Sequence, residues 1–245
     1  MIRLKSEDCI DLPPISIEKY YFRFDELQDE YQAEMDKLRE AKKRYDTSEG
    51  SEKAQARVEM NANIHTMNKI VATSKVPQIK DLIDHITSLT GEKVIVFSGY
   101  RDPLNKLESM LGDSCVKIDG GVPAHKRSTL INDFINDPKK TVFLGNMVAA
   151  GIGINLVNAR HVIYMNFPFT PDQLEQSQKR AHRSGQKRKV FVYYTIAKGT
   201  IDERIYSLMS DKAADINQLV DGENENTIDY SSIAEKMFSS IFEEV

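Results

Sequence analysis

The chain has 245 residues, 40% of them hydrophobic and 29% charged, and its formal net charge is −4. This is the composition of an ordinary globular protein, long enough for one large domain with an extension. No run of about 18 apolar residues is present, and the histidines and the two cysteines have no metal-ligand spacing, which excludes a membrane span and a sequence-local metal site.

Residues 1–75 are predicted to form an inter-lobe linker and a helical protrusion. An extended stretch covers residues 17–24. Beyond it apolar side chains recur three, four and seven residues apart, first at Leu27, Tyr31, Met35, Leu38 and Tyr45 and then at Met60, Ile64, Met67 and Val71. Such spacings place each set on one face of an amphipathic helix. Because residues 47–51 break the pattern, we expect two helices joined by a polar turn, which together form a helical hairpin.

Residues 76–220 show a different pattern, in which short apolar runs alternate with helical segments. The predicted strands are 93–98, 115–118, 141–144, 161–165 and 190–196, and the predicted helices are 79–89, 103–111, 124–135, 171–182 and 200–218. Such alternation is typical of an α/β fold whose parallel sheet is covered by helices on both faces. Ligands of these sheets bind beyond the carboxyl ends of the strands. The acidic tail, 221–245, carries apolar residues between Ile233 and Phe242 that favour a short docking helix.

The sequence lacks the parts with which a nucleotide hydrolase holds ATP. A phosphate-binding loop ends in Gly-Lys-Ser/Thr, and the dipeptide Gly-Lys occurs nowhere in the chain. Asp25 and Glu26 follow an apolar run, as a magnesium-binding acidic pair would, but Arg23 interrupts that run and no phosphate loop precedes it. We therefore reject this pair as catalytic and expect the chain alone not to hydrolyse ATP.

A glycine turn follows the predicted strand 141–144. In the segment Asn146–Leu156, Gly151 and Gly153 permit a tight turn with close backbone approach, and Asn155 can bond a phosphate, a ribose or a neighbouring loop. A Gly-x-Gly after a strand is also common where it serves packing alone. The segment by itself does not decide between these two roles.

The segment Gln176–Gln186 is basic, and no acidic residue occurs from Gln176 to Ile201. We expect Arg180 and Arg183, three residues apart on a helix, to project from one face. Arginine suits the stabilisation of a phosphoryl group in transfer because its guanidinium is planar and always charged. An isolated pair of this spacing is more often part of a solvated helix face. The order of glycine turn, strand, Pro171 and basic helix at one end of a sheet favours the phosphoryl role.

Taken in this order, the motifs resemble a known family. Residues 93–205 are similar to the second RecA-like lobe of the Swi/Snf-like ATPases, a translocase branch of the superfamily-two helicases. The resemblance rests on Lys93–Ser98, Ile118–Gly121, Asn146–Leu156, Gln176–Gln186 and Gly199–Arg204. Asn146–Leu156 resembles motif five. Gln176–Gln186 resembles motif six, Gln-x-x-x-Arg-x-His-Arg-x-Gly-Gln, and is the most specific match.

The resemblance implies an ATP site shared between two lobes. ATP and Mg²⁺ would lie on an N-terminal RecA-like lobe that carries the Gly-Lys-Thr loop and an acidic box, and Arg183, with Arg180, would reach the γ-phosphate as an arginine finger. Further ATP contacts would come from Gly151, Gly153, Asn155, Gln176 and Gln186. Double-stranded DNA, along which the motor would move, would be held near Gly120, Gly121, Arg127 and Asn146.

The sequence also departs from the family pattern, at Ala150, Asn166, Phe169–Pro171 and Lys179. These departures bear on the subfamily and on the details of DNA contact. A separate alternative is a non-catalytic scaffold lobe that binds DNA or protein, although the retention of both arginines, Gln176 and Gln186 favours a functional lobe. Residues 2–14 resemble the linker that leaves the first lobe, so we expect that lobe upstream. The absence of a signal peptide and of paired cysteines predicts a cytoplasmic or nuclear location.

Overall fold

The computed structural model describes residues 12–147, 154–169 and 171–210. The strands are β1 (Ile15–Phe22), β2 (Val94–Ser98), β3 (Cys115–Ile118), β4 (Val142–Asn146), β5 (His161–Tyr164) and β6 (Val190–Ala197). The helices are α1 (Gln28–Thr47), α2 (Gly50–Ser74), α3 (Val76–Thr90), α4 (Arg101–Leu111), α5 (Ala124–Asn136) and α6 (Pro171–Gln178), and residues 201–210 form a further helical stretch, α7. Gly151, Gly153 and the predicted docking helix of the tail lie outside the described residues.

The chain divides into two compact units. The first contains the described residues up to Phe22 and those between Lys75 and Ile196, and the second contains Arg23–Ser74 and the described residues from Ala197 onward. The predicted domain limits at residues 75 and 220 stay predictions.

The first unit is built on one six-stranded sheet with the order β1-β6-β5-β2-β4-β3. The neighbouring pairs from β6 through to β3 are parallel, with β2 between β5 and β4. The predicted α/β fold is thereby confirmed. The extended stretch expected at residues 17–24 corresponds to β1, which is an edge strand of the sheet. Its alternate side chains, Tyr20 and Phe22, pack against the core.

Apolar side chains cover both faces of the sheet because successive strand residues point to opposite sides. On one face Val94, Val96 and Leu144 pack with buried residues of α3 and α4. On the other face the ring of Phe143 lies 5.4 Å from that of Phe134 on α5. A Cβ at Gly145 would come within 2.9 Å of Phe97 and Phe143, so this position in β4 has room for glycine alone.

The second unit contains the predicted helical hairpin. Helices α1 and α2 pack along each other, and the expected apolar stripes are buried at Tyr31, Leu38, Met60, Ile64, Met67 and Val71. The start of α7 belongs to the same unit, since the Ile201 amide donates to the Tyr31 hydroxyl at 2.9 Å. Burial raises the pKa of Tyr31 to about 12. Within the described residues, no helix has the length and apolar character needed to cross a membrane.

Candidate functional site

The two arginines lie in a loop and not on a helix. Helix α6 ends at Gln178, and residues 179–189, named here the arginine loop, run from there to β6. The expectation of a helix to residue 182 with both arginines on one helical face is wrong. Backbone bonding changes to the tighter i−3 pattern at Arg180 and Ala181, while the Arg180 carbonyl accepts from the Leu156 amide at 3.0 Å. A tertiary hydrogen bond has here replaced the next helical turn.

Helix α6 is held on the sheet by two tyrosines that are paired in register on β5 and β6. The Tyr164 hydroxyl lies 2.6 Å from Ser177 Oγ, and Gln178 Nε2 donates to the Tyr194 hydroxyl at 2.7 Å. Complete burial raises the pKa of Tyr164 well above its usual range. Sequence reasoning missed Ser177 and Gln178, although both lie inside the motif. Their role depends on partners in other elements, which the sequence pattern does not place beside them.

Gln186 joins the arginine loop to residues 154–160. Its side-chain nitrogen donates to the carbonyls of Val157 and Ala159 at 3.0 and 3.3 Å. Its side-chain oxygen accepts from the amides of Lys187 and Arg188, both at 3.1 Å. Gln186 is only 6% exposed, and both the nitrogen and the oxygen of its side-chain amide are hydrogen-bonded to backbone groups. These bonds hold the backbone of the arginine loop in its observed conformation.

Arg180 and Arg183 are both half-buried in the arginine loop. Burial lowers the pKa of Arg180, and the positive charge of Arg183 lowers it further. Arg180 nevertheless stays charged, because an arginine side chain titrates far above neutral pH. The arginine loop therefore carries two positive charges three residues apart at half-buried positions, and an anion bound against both would reduce their repulsion.

The far end of the arginine loop is fixed by a carboxylate. Glu92, just before β2, accepts from Arg160 Nε at 2.5 Å, lies 2.9 Å from His161 Nε2 and accepts from Arg188 at 2.6 Å. His161 Nδ1 lies 2.8 Å from the Tyr193 hydroxyl. This cluster ties the starts of β2, β5 and β6 together, at the edge of the sheet opposite the carboxyl ends of the strands.

The residues expected to bind DNA form a second group, around the end of β3. Gly120 and Gly121 are exposed, and the Gly121 amide donates to Asp119 Oδ1 at 2.7 Å. A Cβ at Gly120 would come 3.0 Å from the Arg101 guanidinium, so a cation lies directly beside this turn. Arg127 Nε donates to the carbonyl of Val122, the residue directly after the turn, at 2.9 Å and so supports the turn.

Asn146 and Asn166 hold the end of β2 between them. Asn146 Nδ2 donates to the Gly99 carbonyl at 3.0 Å. Asn166 Oδ1 accepts from the Gly99 amide at 3.0 Å and from Ser98 Oγ at 2.9 Å. Asn166, one of the departures from the family pattern, thus fixes the backbone at the carboxyl edge.

The structure brings together only part of the predicted site. Asn155, Arg180, Arg183 and Gln186 belong to two segments that bond to each other through Leu156–Arg180 and through Gln186. Gln176 is exposed on α6, and the Gly120–Gly121 turn lies at β3, separated from β5 by β4 and β2. Among the described residues, no cluster of three or more His, Cys, Asp or Glu side chains could hold a metal ion.

Known proteins resemble this chain in sequence. The model of the helicase conserved C-terminal domain matches residues 74–185. Mouse DNA annealing helicase and endonuclease ZRANB3 is 31% identical over 165 residues, which cover 66% of this chain. A Caenorhabditis elegans homologue of SWI/SNF-related matrix-associated actin-dependent regulator of chromatin subfamily A-like protein 1 is 29% identical over 226 residues, or 89% of this chain. This chain contains a Swi/Snf-like C-terminal helicase lobe.

The lobe is a small part of these relatives, spanning 15% of the length of mouse ZRANB3 and 31% of the C. elegans protein. Its fold also matches a solved structure, the Sulfolobus solfataricus SWI2/SNF2 ATPase core in complex with dsDNA. The TM-score is 0.69 and the sequence identity 22%, and the match covers 98% of this chain and 51% of that one. The Swi/Snf-like lobe therefore corresponds in fold to about half of an ATPase core.

In this Swi/Snf-like lobe, Gln186→Leu is expected to destabilise folding by about 1–3 kcal/mol, because it leaves buried carbonyls and amides of two segments without their partner. Gln176→Leu is the matched control, since Gln176 is exposed, and it is expected to change stability by less than about 0.5 kcal/mol. Urea denaturation of both variants measures the difference. Equal, small effects would contradict the joining role of Gln186.

The stability of the Swi/Snf-like lobe is expected to fall as pH decreases below about 6.5, the ordinary pKa of histidine. Burial lowers the pKa of His161 in spite of Glu92, so the unfolded state takes up this proton first. Desolvation would raise the pKa of Glu92, but the hydrogen bonds from Arg160 and His161 lower it overall. A second loss of stability is therefore expected as the pH falls below about 4.3, the ordinary pKa of a glutamate side chain.

Denaturation midpoints at pH 7.5, 6.0 and 5.0 test this expectation. His161→Gln is expected to flatten the change between pH 7.5 and 5.0, while a slope remains from His65, whose pKa burial also lowers. An unchanged slope in this variant would contradict the assignment to His161.

Proposed function

We propose that the lobe supplies Arg183 and Arg180 to an ATP site completed by an N-terminal lobe of a DNA-dependent motor. One observation carries this proposal: two half-buried arginines, three residues apart, lie in a loop whose backbone is held by contacts of Leu156, Gln186 and Glu92. A rigid pair of like charges gains most from an anion placed against both, and a triphosphate in transfer provides such an anion. Pre-organisation of this kind needs no rearrangement when the charge develops.

The lobe contributes neither the phosphate loop nor the magnesium ligands. Gly-Lys is absent from its sequence, and its described residues offer no carboxylate cluster for Mg²⁺. ATP and Mg²⁺ would therefore be held by the N-terminal lobe, with a Gly-Lys-Thr loop and an acidic box, while Arg183 stabilises the charge on the transferring phosphoryl group. The match to half of an ATPase core supports this division.

The proposal is tested in a two-lobed motor, meaning this chain preceded in one polypeptide by a lobe with a Gly-Lys-Thr loop and an acidic box. ATP hydrolysis by this protein is expected to rise when duplex DNA is added. The chain alone is expected to be inactive. Hydrolysis by the two-lobed motor that does not depend on Arg183 or on DNA would instead favour the scaffold alternative.

Duplex DNA is proposed to bind at the Gly120–Gly121 turn. The Sulfolobus ATPase core was solved in complex with dsDNA, which supports a duplex as ligand for the lobe. In the lobe, Arg101 lies beside the exposed turn and Arg127 supports it. Arginines contact phosphates in this way, and such contacts carry no base specificity. Nuclear or cytoplasmic placement would follow from this partner.

The logarithm of the affinity for a duplex of about 20 base pairs is expected to fall linearly with the logarithm of salt concentration, irrespective of sequence, because phosphate contacts release counterions. Gly120→Asp is expected to weaken binding further, since it places a negative charge and a Cβ against the turn. Asn136→Asp, with the same added charge at the far end of α5, is the control. Fluorescence anisotropy between 50 and 200 mM salt measures all three proteins. Salt-independent binding, or equal effects of the two variants, would contradict the proposed surface.

A further inference from the structure

His182, the residue directly before Arg183, contacts the part of the chain that leads into β1. His182 Nε2 lies 2.6 Å from the Pro13 carbonyl oxygen. A carbonyl oxygen only accepts, so Nε2 carries the hydrogen and donates it. The two residues are 169 positions apart in the sequence, and both belong to the first unit.

The same short stretch is held again at the other end of the arginine loop. The Val190 amide, where β6 begins, donates to the Pro14 carbonyl at 3.1 Å. The carbonyls of Pro13 and Pro14 therefore accept hydrogen bonds from His182, within the arginine loop, and from Val190, directly after it. Residues 12–14 are named here the entry segment. Its two prolines have fixed φ angles and no N–H, so the segment is stiff and joins the loop through its carbonyl oxygens.

Arg183 is placed between this contact and a turn. The Gln186 amide donates to the Arg183 carbonyl at 3.0 Å, which fixes the backbone on its C-terminal side. On the N-terminal side, the hydrogen bond of the His182 ring restrains the Cα of His182. The Cα of Arg183 is the next along the chain, about 3.8 Å away. A shift of His182 would therefore move the start of the Arg183 side chain with it.

We propose that His182 is a positioning residue, which holds Arg183 in place by binding the entry segment. This inference rests on the proposed function of Arg183. Movement of the entry segment would displace the arginine, and the arginine loop would be correctly shaped only while the segment is docked. Reactions that depend on a placed charge are sensitive to such shifts, since a misplacement of about 1 Å can cost about 10²-fold in rate.

Two variants separate the hydrogen bond from the bulk of the ring. His182→Phe keeps a ring of similar size without a donor, and His182→Gln retains an N–H donor. In the chain alone, His182→Phe is expected to raise amide hydrogen exchange at Val190 and Gln186 by about 10-fold, as for the loss of about one hydrogen bond, while His182→Gln stays near the parent protein. Thermal unfolding confirms that both variants are folded, and His182→Leu replaces His182→Phe if the latter is not.

In the two-lobed motor, His182→Phe is expected to lower kcat about 10²-fold with little change in the KM for ATP or in DNA affinity, and His182→Gln is expected to recover most of the rate. Adding His182→Phe to Arg183→Ala is expected to cause no further loss, because the group that is positioned has already been removed.

The outcomes separate this inference from the proposed function. If Arg183→Ala lowers the rate but His182→Phe does not, or if the two effects are additive, His182 does not position Arg183. Unchanged hydrogen exchange in His182→Phe would likewise overturn the contact as a restraint. If Arg183→Ala itself leaves hydrolysis intact, the proposed function fails, and the exchange experiment on the chain alone still decides whether the entry segment restrains the loop.

Discussion

Arg183→Ala is expected to lower DNA-stimulated ATP hydrolysis of the two-lobed motor by about 10³- to 10⁵-fold, the range found for loss of an arginine finger. The reason is electrostatic: a fixed guanidinium stabilises the charge that develops on the phosphoryl group, and alanine leaves that charge without a partner. Arg183→Lys is expected to recover little, because an ammonium group lacks the planar fork of donors. Steady-state rates at saturating ATP and DNA measure both variants.

Lys179→Ala is the control for Arg183→Ala. Lys179 lies in the same loop, but it is exposed and pairs with Glu175 one turn earlier on α6. An exposed pair of this kind contributes little, so hydrolysis is expected to stay within about twofold of the parent motor. DNA-stimulated hydrolysis that survives Arg183→Ala would show that the finger has been assigned to the wrong residue.

Tyr164→Ala is expected to destabilise the first unit by about 3–5 kcal/mol, as for other large aromatic side chains removed from a core. The ring is fully buried in β5, with the rings of Phe97 and Tyr194 centred 5.7 and 5.8 Å away. Tyr164→Phe removes only the hydroxyl that bonds Ser177 and is expected to cost about 1 kcal/mol. Chemical denaturation measures both.

Tyr21→Ala is the matched control for Tyr164→Ala, because Tyr21 is 50% exposed on the edge strand β1. Its expected effect is below about 0.5 kcal/mol. If Tyr164→Ala and Tyr21→Ala had similar effects, Tyr164 could not be the residue that holds α6 on the sheet.

The sheet could be predicted because each strand carries its own signal. The apolar runs at residues 115–118 and 190–196 are found as β3 and β6 with nearly the predicted limits. Both strands are covered by neighbouring strands or helices, so nearly all of their residues are buried. Buried strands of this kind are apolar over their whole length, which makes them visible in the sequence. The hairpin was predicted for the same reason, since the stripes of α1 and α2 repeat at helical spacing.

The end of α6 could not be predicted in this way. Residues 179–182 contain no glycine or proline, and local pattern favours a longer helix. The helix stops because the Arg180 carbonyl is bonded by Leu156, and that partner is supplied by another segment. The same holds for Gln186 and His182, whose side-chain nitrogens donate to carbonyls 27 and more residues away in the chain. The residue types in the sequence led to the prediction that Arg180 and Arg183 are functional. The positions of these two arginines depend on contacts that form only when the chain folds.

ATP hydrolysis by this chain alone, with saturating duplex DNA and Mg²⁺, tests the central claim most directly. The claim is that the lobe supplies arginines to an ATP site that it cannot complete. We predict no hydrolysis above that of the Arg183→Ala chain, together with full DNA-stimulated hydrolysis once the N-terminal lobe is present. A normal motor rate from the chain alone, abolished by Arg183→Ala, would contradict the account.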